Sequence, residues 1–466
     1  MRLHFLGANR QVTGSRHYLD VGDTKILIDC GMFQERPYLD RNWEACPVPA
    51  DQIQAVILTH AHLDHCGLLP KLVREGFRGP VFTTPASADL AELILRDSAE
   101  IQAEDVAFKR KRHRKEGRRP KHPEVPLYTL EDVQHAMRRL EPIRYGQPVR
   151  ISDSVSATFH DAGHILGSSI VEVTVSQGGA IERIVFTGDL GQWNKPILRD
   201  PTMLSAADFI VMESTYGDRD HPINHGIESE LAELIHATVS VGGKVVIPTF
   251  AVERAQELMF YISRLVADRR IPAVPIFLDS PMAVDVTGVF ERHRECFDEE
   301  TWAMISSNRS PLRFPGLQLI SSSEDSRKIN DLEEPAIIMA TSGMCTAGRI
   351  KHHLAHNIHK SESAILFVGY QVPGTLGRQI LDGNPQVRIH GRTWKVRAKI
   401  AQVHGFSGHA DRSALLRWLG GFRTPPRRLF LTHGEEQVSL NLAAEIREKM
   451  NWRVSVPQYL EDVDLT

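Results

Sequence analysis

Short apolar runs alternate with amphipathic segments from the start of the chain. Runs typical of β-strands stand at residues 2–6, 17–20 and 25–29. The run at 55–59 predicts a buried strand, and a helix is predicted at 68–75 before another strand at 80–84. Because strands and helices alternate, the pattern favours a layered α/β fold over an all-β fold.

A second α/β pattern begins near residue 206 and continues to about residue 390, where short strands return. No low-complexity linker separates these parts, so the limits rest on the change of pattern alone. The predicted domain ranges are 1–207, 208–390 and 391–466. Predicted strands of the second pattern lie at 208–213, 244–248, 276–278, 336–340 and 364–369, and its predicted helices at 226–241 and 252–265. The last part is predicted to contain helices at 412–419 and 440–450 and a strand at 428–431.

Composition narrows the class of protein. The chain has 466 residues, 42% of them hydrophobic and 24% charged, which excludes a disordered chain, a collagen and a coiled-coil rod. The five cysteines form no CxxC pair, which argues against a disulfide scaffold and a thiolate zinc finger. The sequence shows neither a signal peptide pattern nor 18 consecutive apolar residues. We therefore expect no membrane span and a cytoplasmic location.

Positive charge is concentrated in one insertion, residues 98–126. The formal net charge of −3 gives no overall attraction to nucleic acid, yet nine Lys or Arg residues lie between Lys109 and Lys121. Residues 88–140 are predicted to be mostly helical, and within them low hydrophobicity and like charge predict an exposed, mobile insertion, by default a solvated loop. Arg112 and its neighbours could instead steer RNA electrostatically, and both interpretations stay open.

The densest chemical signal is the segment HAHLDH at residues 60–65, directly after the predicted buried strand. Loops at the carboxyl edge of a sheet are favoured places for active sites. His60 and His62 alternate along an extended segment and can share one metal ion. Asp64 and His65 follow the turn and can face a neighbouring ion. Imidazole and carboxylate ligands together suit zinc.

Four further candidates lie in strand-end or loop positions beside glycine. Each of them, taken alone, would be an ordinary structural or turn residue. Together with residues 60–65 they form a set that a purely structural interpretation does not explain. They are His164 in DAGHILGS, Asp189 in FTGDLG, His409 in GFSGHAD and His433 in LTHGEE.

These motifs carry a family resemblance. HxHxDH, GH in a glycine-rich loop and GD after a strand resemble the metallo-β-lactamase superfamily, and LIDCG around Asp29 resembles its first motif. ESTYG at Glu213, FSGHAD and LTHGE resemble the motifs of the β-CASP branch, which contains ribonuclease J and the nuclease subunit of the pre-mRNA cleavage factor. The resemblance spans almost the whole chain. It implies an αββα sandwich with an inserted β-CASP α/β domain.

The resemblance also implies a cofactor of two Zn²⁺ ions per chain. Asp189 would bridge the ions, since a carboxylate has two oxygens and can hold two cations. Asp29 would orient the HxHxDH loop through hydrogen bonds. The implied ligands are His60, His62 and His164 for one ion, and Asp64, His65 and His433 for the other.

The implied chemistry is attack of a metal-bridging hydroxide on a phosphodiester, in which Asp64 and Asp189 take part as ligands. His409 stands outside the ligand set and is the natural general acid for the leaving oxygen. Glu213 would hold its imidazole protonated and correctly aimed. His433 in motif C is similar to RNA-acting members, whereas the DNA-repair branch typically has an aliphatic residue there.

Glycine-rich segments at 342–349 and 372–378 open helical patterns and could hold an RNA backbone. For the arginines among the candidates, ordinary capping and surface charge are an equally good explanation. The candidate substrate-binding residues are Arg254, Ser342, Gly343, Arg349, Arg378 and Ser407.

The expected function is therefore a zinc-dependent ribonuclease that acts on single-stranded RNA, as an endonuclease, a 5′→3′ exonuclease or both. Two alternatives stay open. One is a small-molecule hydrolase of the same superfamily, a thioesterase or lactonase, and the other is an RNA-binding scaffold without catalysis. Whether the chain forms a homodimer is also left open.

Overall fold

The computed structural model describes residues 1–117, 120–222 and 226–465. The described residues pack into two compact units. No helix among them is both long and apolar enough to cross a membrane. The domain limits predicted from the sequence, at residues 207 and 390, remain a prediction. The first unit comprises Met1–Asn194, Arg199–Asp220 and His409–Thr466, and the second comprises Lys195–Leu198 and His221–Gly408.

Two seven-stranded sheets form the centre of the first unit in the described part of the chain. With strands numbered in chain order, the first sheet contains β1 (Arg2–Gly7), β2 (Arg16–Val21), β3 (Thr24–Ile28), β4 (Ala55–Ile57), β5 (Val81–Thr83), β6 (Leu140–Pro142) and β22 (Asp462–Asp464). The second contains β7 (Pro148–Arg150), β8 (Val155–Asp161), β9 (Ser169–Gln177), β10 (Ala180–Phe186), β11 (Phe209–Glu213), β20 (Arg428–Thr432) and β21 (Val454–Ser455). Their spatial orders are β22-β1-β2-β3-β4-β5-β6 and β21-β20-β11-β10-β9-β8-β7.

Both sheets mix antiparallel hairpins with parallel strands. β3, β4, β5 and β6 are parallel neighbours in the first sheet, as are β10, β11, β20 and β21 in the second. In the register of the second sheet, Glu213 at the end of β11 lies opposite Thr432 at the end of β20. Chain segments that leave these parallel strands therefore start from one edge of each sheet.

The core of the first unit lies between the two sheets. Phe5 from the first sheet and Phe159 and Phe186 from the second pack in one buried cluster. Leu27 and Val56 point to the opposite face of the first sheet and are also buried, so that sheet is covered on both faces. Trp418 and Leu442 cover the far face of the second sheet. The layering is helix, sheet, sheet, helix.

The helices of the first unit account for the two outer layers. α2, α3 and α4 pack together beside the first sheet. The helices are α1 (Leu63–Cys66), α2 (Leu69–Arg74), α3 (Pro85–Glu116), α4 (Leu130–Met137), α12 (Arg412–Leu419) and α13 (Glu436–Met450), with short 3₁₀ segments at Arg36–Asn42 and Ala50–Gln52.

The first part of the basic insertion is helical and exposed, as predicted, and is not a solvated loop. It continues α3, which runs for 32 residues to Glu116 and ends at Gly117 in the left-handed conformation. The loop interpretation was wrong because low hydrophobicity argues against burial and not against helix formation, and Lys and Arg are good helix formers. Arg118 and Arg119, which belong to the same basic run, lie outside the described residues.

The second unit is built on a six-stranded, all-parallel sheet of described strands in the order β14-β13-β15-β12-β16-β19. These strands are β12 (Val245–Pro248), β13 (Ile276–Asp279), β14 (Leu317–Ile320), β15 (Ile337–Ala340), β16 (Ala364–Phe367) and β19 (Lys399–Gln402), beside a hairpin of β17 (Gln386–Ile389) and β18 (Arg392–Lys395). Its helices are α5 (Ile227–Val239), α6 (Arg254–Ala267), α7 (Pro281–Arg292), α8 (Glu299–Ser306), α9 (Ser323–Asp331), α10 (Ile350–Asn357) and α11 (Leu376–Leu381), with a 3₁₀ turn at Arg294–Cys296. Every residue of β12, β13, β15 and β16 is buried, as expected for a parallel sheet covered on both faces.

Candidate metal centre

The carboxyl ends of strands in the first unit carry the predicted site residues. His60 follows β4, His164 follows β8, and Asp189 follows β10. Glu213 is the last residue of β11, and His433 comes directly after β20. All five therefore start from rigid strand ends, which fix their backbones more firmly than a free loop would.

Three histidines and Asp189 form the first cluster of this centre. His62 Nδ1 lies 3.0 Å from His60 Nε2 and 3.2 Å from His164 Nε2. Asp189 Oδ2 lies 3.5 Å from His60 Nε2 and 3.4 Å from His164 Nε2. Four potential ligand atoms thus face one small volume.

The second cluster contains Asp64, His65 and His433. The Nε2 atoms of His65 and His433 are 3.2 Å apart, and Asp64 Oδ2 is 3.4 Å from His433 Nε2. The other carboxylate oxygen of Asp189, Oδ1, lies 3.2 Å from His65 Nε2 and 3.6 Å from His433 Nε2. Asp189 therefore presents one oxygen to each cluster.

These donor atoms fit two cations. In a tetrahedral zinc site with Zn–N bonds of about 2.0–2.1 Å, neighbouring ligand atoms are about 3.3–3.4 Å apart, close to the separations in both clusters. Asp189 Oδ1 is buried, and among the described residues it has no hydrogen bond of good geometry; its neighbours are the ring nitrogens of His65 and His433. A buried carboxylate oxygen is costly unless a well-placed donor or a cation satisfies it, and a cation here would also bind those two nitrogens.

Asp29 fixes the orientation of His65. Its Oδ2 lies 2.6 Å from His65 Nδ1, which turns His65 Nε2 toward the second cluster. Its Oδ1 accepts a 2.8 Å hydrogen bond from the Thr59 backbone N–H, immediately before the HxHxDH segment. Asp29 itself has φ +59°, a left-handed conformation that Asp tolerates better than most residues. The predicted position of Asp29 beside the loop is the one observed.

Two threonines that the sequence did not single out complete the support. Thr59 Oγ1 lies 3.1 Å from His60 Nδ1 and within 3.0 Å of both Asp29 oxygens. Thr215 Oγ1 lies 3.0 Å from His433 Nδ1. Thr59 comes directly before HxHxDH, and Thr215 lies inside ESTYG. Their position beside or inside a motif was the sequence signal that could have identified these threonines. That position does not show which histidine nitrogen each hydroxyl contacts.

His409 and Glu213 form a pair beside the two clusters. His409 Nδ1 is 3.2 Å from each carboxylate oxygen of Glu213 and 3.8 Å from Asp189 Oδ2. The Leu190 backbone N–H donates a 2.6 Å hydrogen bond to Glu213 Oε1, which holds the carboxylate in place. The Glu213 side chain is fully buried, whereas 22% of the His409 side chain is exposed. The imidazole is the member of the pair that solvent or a substrate can reach.

Burial and the neighbouring carboxylates shift the pKa values of the histidines in this centre in opposite directions. Burial lowers the pKa of His60, and burial lowers the pKa of His62 to about 4. Burial also acts on His65 and His433, but neighbouring carboxylates together outweigh it and raise the pKa of both. These are Asp189 and Asp29 at His65, and Asp189 and Asp64 at His433. Burial is likewise outweighed at His409, where Glu213 and then Asp189 raise the pKa to about 9. Without a cation, protons on these rings balance the carboxylates; a bound cation would displace those at ligating nitrogens.

The six candidate substrate-binding residues belong to the second unit, so the geometry of the centre does not include them. Arg349 donates a 2.7 Å hydrogen bond to the buried Asp279 and further ones to backbone carbonyls. Arg378 pairs with Asp382 on an exposed helix, and Arg254 donates to the Val368 carbonyl. For these arginines the structure shows the structural contacts that the sequence left as an alternative. Contact of Arg254, Ser342, Gly343, Arg349, Arg378 and Ser407 with substrate stays a prediction.

Comparison with known proteins agrees with this architecture. The Metallo-beta-lactamase superfamily domain matches residues 18–211, the Beta-Casp domain 255–380, and the Zn-dependent metallo-hydrolase RNA specificity domain 393–457. Ribonuclease TTHA0252 of Thermus thermophilus is 40% identical over 442 residues, 95% of each chain. The chain belongs to the β-CASP branch of the metallo-β-lactamase superfamily. The predicted fold, a metallo-β-lactamase domain with an inserted β-CASP domain, is confirmed.

Other relatives of this β-CASP protein differ in length or only share its fold. Transcription termination factor FttA of Methanocaldococcus jannaschii is 33% identical over 476 residues, which is 99% of this chain and 71% of that protein. A crystal structure of a protein of unknown function from Enterococcus faecalis V583 superposes with a TM-score of 0.58 at 11% identity, over 99% of both chains. That similarity shows the fold alone. Family membership and the His/Asp clusters together support the predicted metal dependence.

Proposed function

We propose that this β-CASP protein is a ribonuclease that hydrolyses phosphodiester bonds of single-stranded RNA with two Zn²⁺ ions. The observation that carries the proposal is the position of Asp189. One of its oxygens faces each ligand cluster, and the His409–Glu213 pair lies at the same carboxylate. A two-metal site with an adjacent protonated imidazole is suited to phosphodiester hydrolysis.

When bound, two zinc ions would supply Lewis-acid stabilisation of the phosphate charge and an activated water. His60, His62 and His164 would hold one ion, and Asp64, His65 and His433 the other. Asp189 would bind both and set their spacing. Asp29 keeps His65 Nδ1 hydrogen-bonded, so that Nε2 is the nitrogen offered to the metal.

His409 would deliver the proton that the leaving 3′ oxygen needs. Its raised pKa keeps the ring protonated at neutral pH, and its partial exposure lets a substrate reach it. Glu213 acts as a positioning residue, because both of its carboxylate oxygens contact His409 Nδ1. The products would carry 5′-phosphate and 3′-hydroxyl ends.

Relatives support RNA as the substrate. The relative from Thermus thermophilus is named a ribonuclease, and the third matching family is described as an RNA specificity domain. His433 occupies the motif C position and lies in the second ligand cluster. A thioesterase or lactonase would need the metal ligands but not the His409–Glu213 pair.

The test is a time course on single-stranded RNA labelled at either end, prepared with a 5′-phosphate or a 5′-hydroxyl, with a thioester assayed in parallel. We expect RNA cleavage that needs about two zinc ions per chain. Mononucleotides released only from 5′-phosphorylated RNA would indicate an exonuclease, and discrete internal fragments an endonuclease. Thioester turnover without RNA cleavage would refute the proposal.

A further inference from the structure

The second half of α3 extends away from the core as a basic helical segment. Buried positions of this helix end at Ala99, and almost all later positions are exposed. We call residues 108–116 the basic arm. It contains six cationic side chains, against the single carboxylate of Glu116. They are Lys109, Arg110, Lys111, Arg112, Arg114 and Lys115.

One face of the arm and of the turns before it is held by the segment that follows. Leu127 N donates a 2.9 Å hydrogen bond to Gln102 Oε1, and Arg110 Nε donates a 2.8 Å hydrogen bond to the Glu124 carbonyl. His113 Nδ1 lies 2.8 Å from the Glu124 carboxylate. These contacts give the arm a fixed helical form, so its free face is a surface of defined geometry.

The opposite face contains Phe108, Lys111, Arg112 and Lys115. Residues at i, i+3, i+4 and i+7 share one side of a helix. The Phe108 side chain is 65% exposed, a large aromatic surface left in water. Among the described residues, Arg112 forms an ion pair with Glu116 alone, at 3.8 Å and exposed to solvent, and such pairs are weak. The face therefore combines an uncovered aromatic ring with cations that have little internal compensation.

We propose that this face is an accessory binding surface for single-stranded RNA, separate from the metal centre. The inference rests on the proposed ribonuclease function for its choice of polyanion. Cations spaced about one helical turn apart match a phosphate backbone, and an exposed aromatic ring offers a platform on which a base stacks. The arm would hold RNA beyond the segment in the active site and so favour long substrates over short ones.

The test compares RNA binding by the full chain and two variants, Phe108→Ala and the triple variant Lys111→Gln, Arg112→Gln, Lys115→Gln. A matched control removes three exposed cations elsewhere on the first unit, Arg150→Gln, Arg427→Gln and Lys449→Gln. Binding of a fluorescein-labelled, cleavage-resistant 2′-O-methyl RNA of 30 nucleotides to the zinc-loaded chain is measured by anisotropy over a range of salt concentrations. Circular dichroism at 222 nm checks that α3 persists in each variant.

The slope of log K against log salt is negative, and each lost phosphate contact reduces its magnitude by about 0.7 for a single strand. Three contacts lower it by about 2, which is up to about a hundredfold in affinity at 0.1 M salt. Phe108→Ala should weaken binding by about five- to a hundredfold with the slope unchanged, because stacking releases no counterions. The control variant should keep the wild-type slope to within about 0.7.

Cleavage of a six-nucleotide RNA with zinc present separates this proposal from the proposed function. It should be unchanged in the arm variants. If wild-type protein cleaves RNA but the triple variant binds the 30-nucleotide RNA with wild-type affinity and slope, the arm proposal alone is wrong. The arm proposal is equally wrong if the arm variants lose binding to phosphatidylserine vesicles and not to RNA. If the wild-type protein cleaves no RNA, the proposed ribonuclease function is wrong, and the binding data still test whether the basic arm binds RNA.

Discussion

Replacing Asp29 with Asn tests whether this carboxylate tunes the metal centre. The change keeps the size and shape of the side chain and removes its charge. Asn also tolerates the left-handed backbone at φ +59°, so backbone strain does not confuse the result. Only the hydrogen bonds of the carboxylate are altered.

The magnitude follows from the contact with His65. The two side chains are at most 2% exposed, and Asp29 Oδ2 lies 2.6 Å from His65 Nδ1. A charge-assisted hydrogen bond of this kind contributes about 1.5–3 kcal/mol. Loss of such support typically weakens metal binding by about 10–100-fold, or about 1.4–2.7 kcal/mol. We expect a loss in that range at the Asp64–His65–His433 cluster and a smaller one at the His60–His62–His164 cluster.

Competition with a chromophoric chelator at pH 7.5 measures the two zinc affinities. Asp23→Asn is the matched control, because Asp23 is an exposed carboxylate in the neighbouring turn. The free energy of unfolding of the zinc-free variant reports any loss of stability separately. Wild-type affinity for both ions in Asp29→Asn would show that Asp29 merely caps its strand and does not act through His65.

Three results that concern the metal centre are also expected. His409→Ala should slow RNA cleavage by about 10²–10⁴-fold while both zinc ions stay bound. Loss of zinc from this variant would instead indicate that His409 is a metal ligand. His135→Ala, at an exposed histidine, is the control. Glu213→Gln should lower the pKa of His409 from about 9, so the alkaline limb of the pH–rate profile, where the ring loses its proton, moves to lower pH. Removing zinc should lower Tm, because Asp64 and Asp189 are left without a cation, and restored zinc should reverse it.

Part of the candidate site could be predicted without knowledge of the fold. His60, His62, Asp64 and His65 lie within six residues, so their proximity needs no tertiary information. His433 is different, because its place beside His65 depends on β20 lying next to β11 in the second sheet. The LTHGE motif indicated that His433 binds the same metal ion as His65 only through the family resemblance.

Roles that depend on backbone direction could not be predicted. The Leu190 N–H reaches Glu213 only because the chain turns after Asp189, and Thr215 reaches His433 from a different strand end. In the second unit, α7, α8 and α9 were not predicted, and α8 and α9 are only 8 and 9 residues long, too short for a clear periodic pattern. The loop interpretation of the basic insertion was wrong for another reason, because like charge was given more weight there than helix propensity.

The position of His409 follows from main-chain contacts inside the first unit. The chain re-enters that unit at this residue, after the whole of the second unit. Gly191 and His409 form an antiparallel β-bridge, and Ala410 N donates a 2.7 Å hydrogen bond to the Leu190 carbonyl. At Gly191 an added Cβ would lie 1.8 Å from the Gly163 carbonyl oxygen, so this close approach requires glycine. The segment that follows Asp189 therefore positions both members of the pair, His409 through its backbone and Glu213 through the Leu190 N–H. A substitution such as Gly191→Ala should thus lower activity as His409→Ala does, without removing any polar group from the centre.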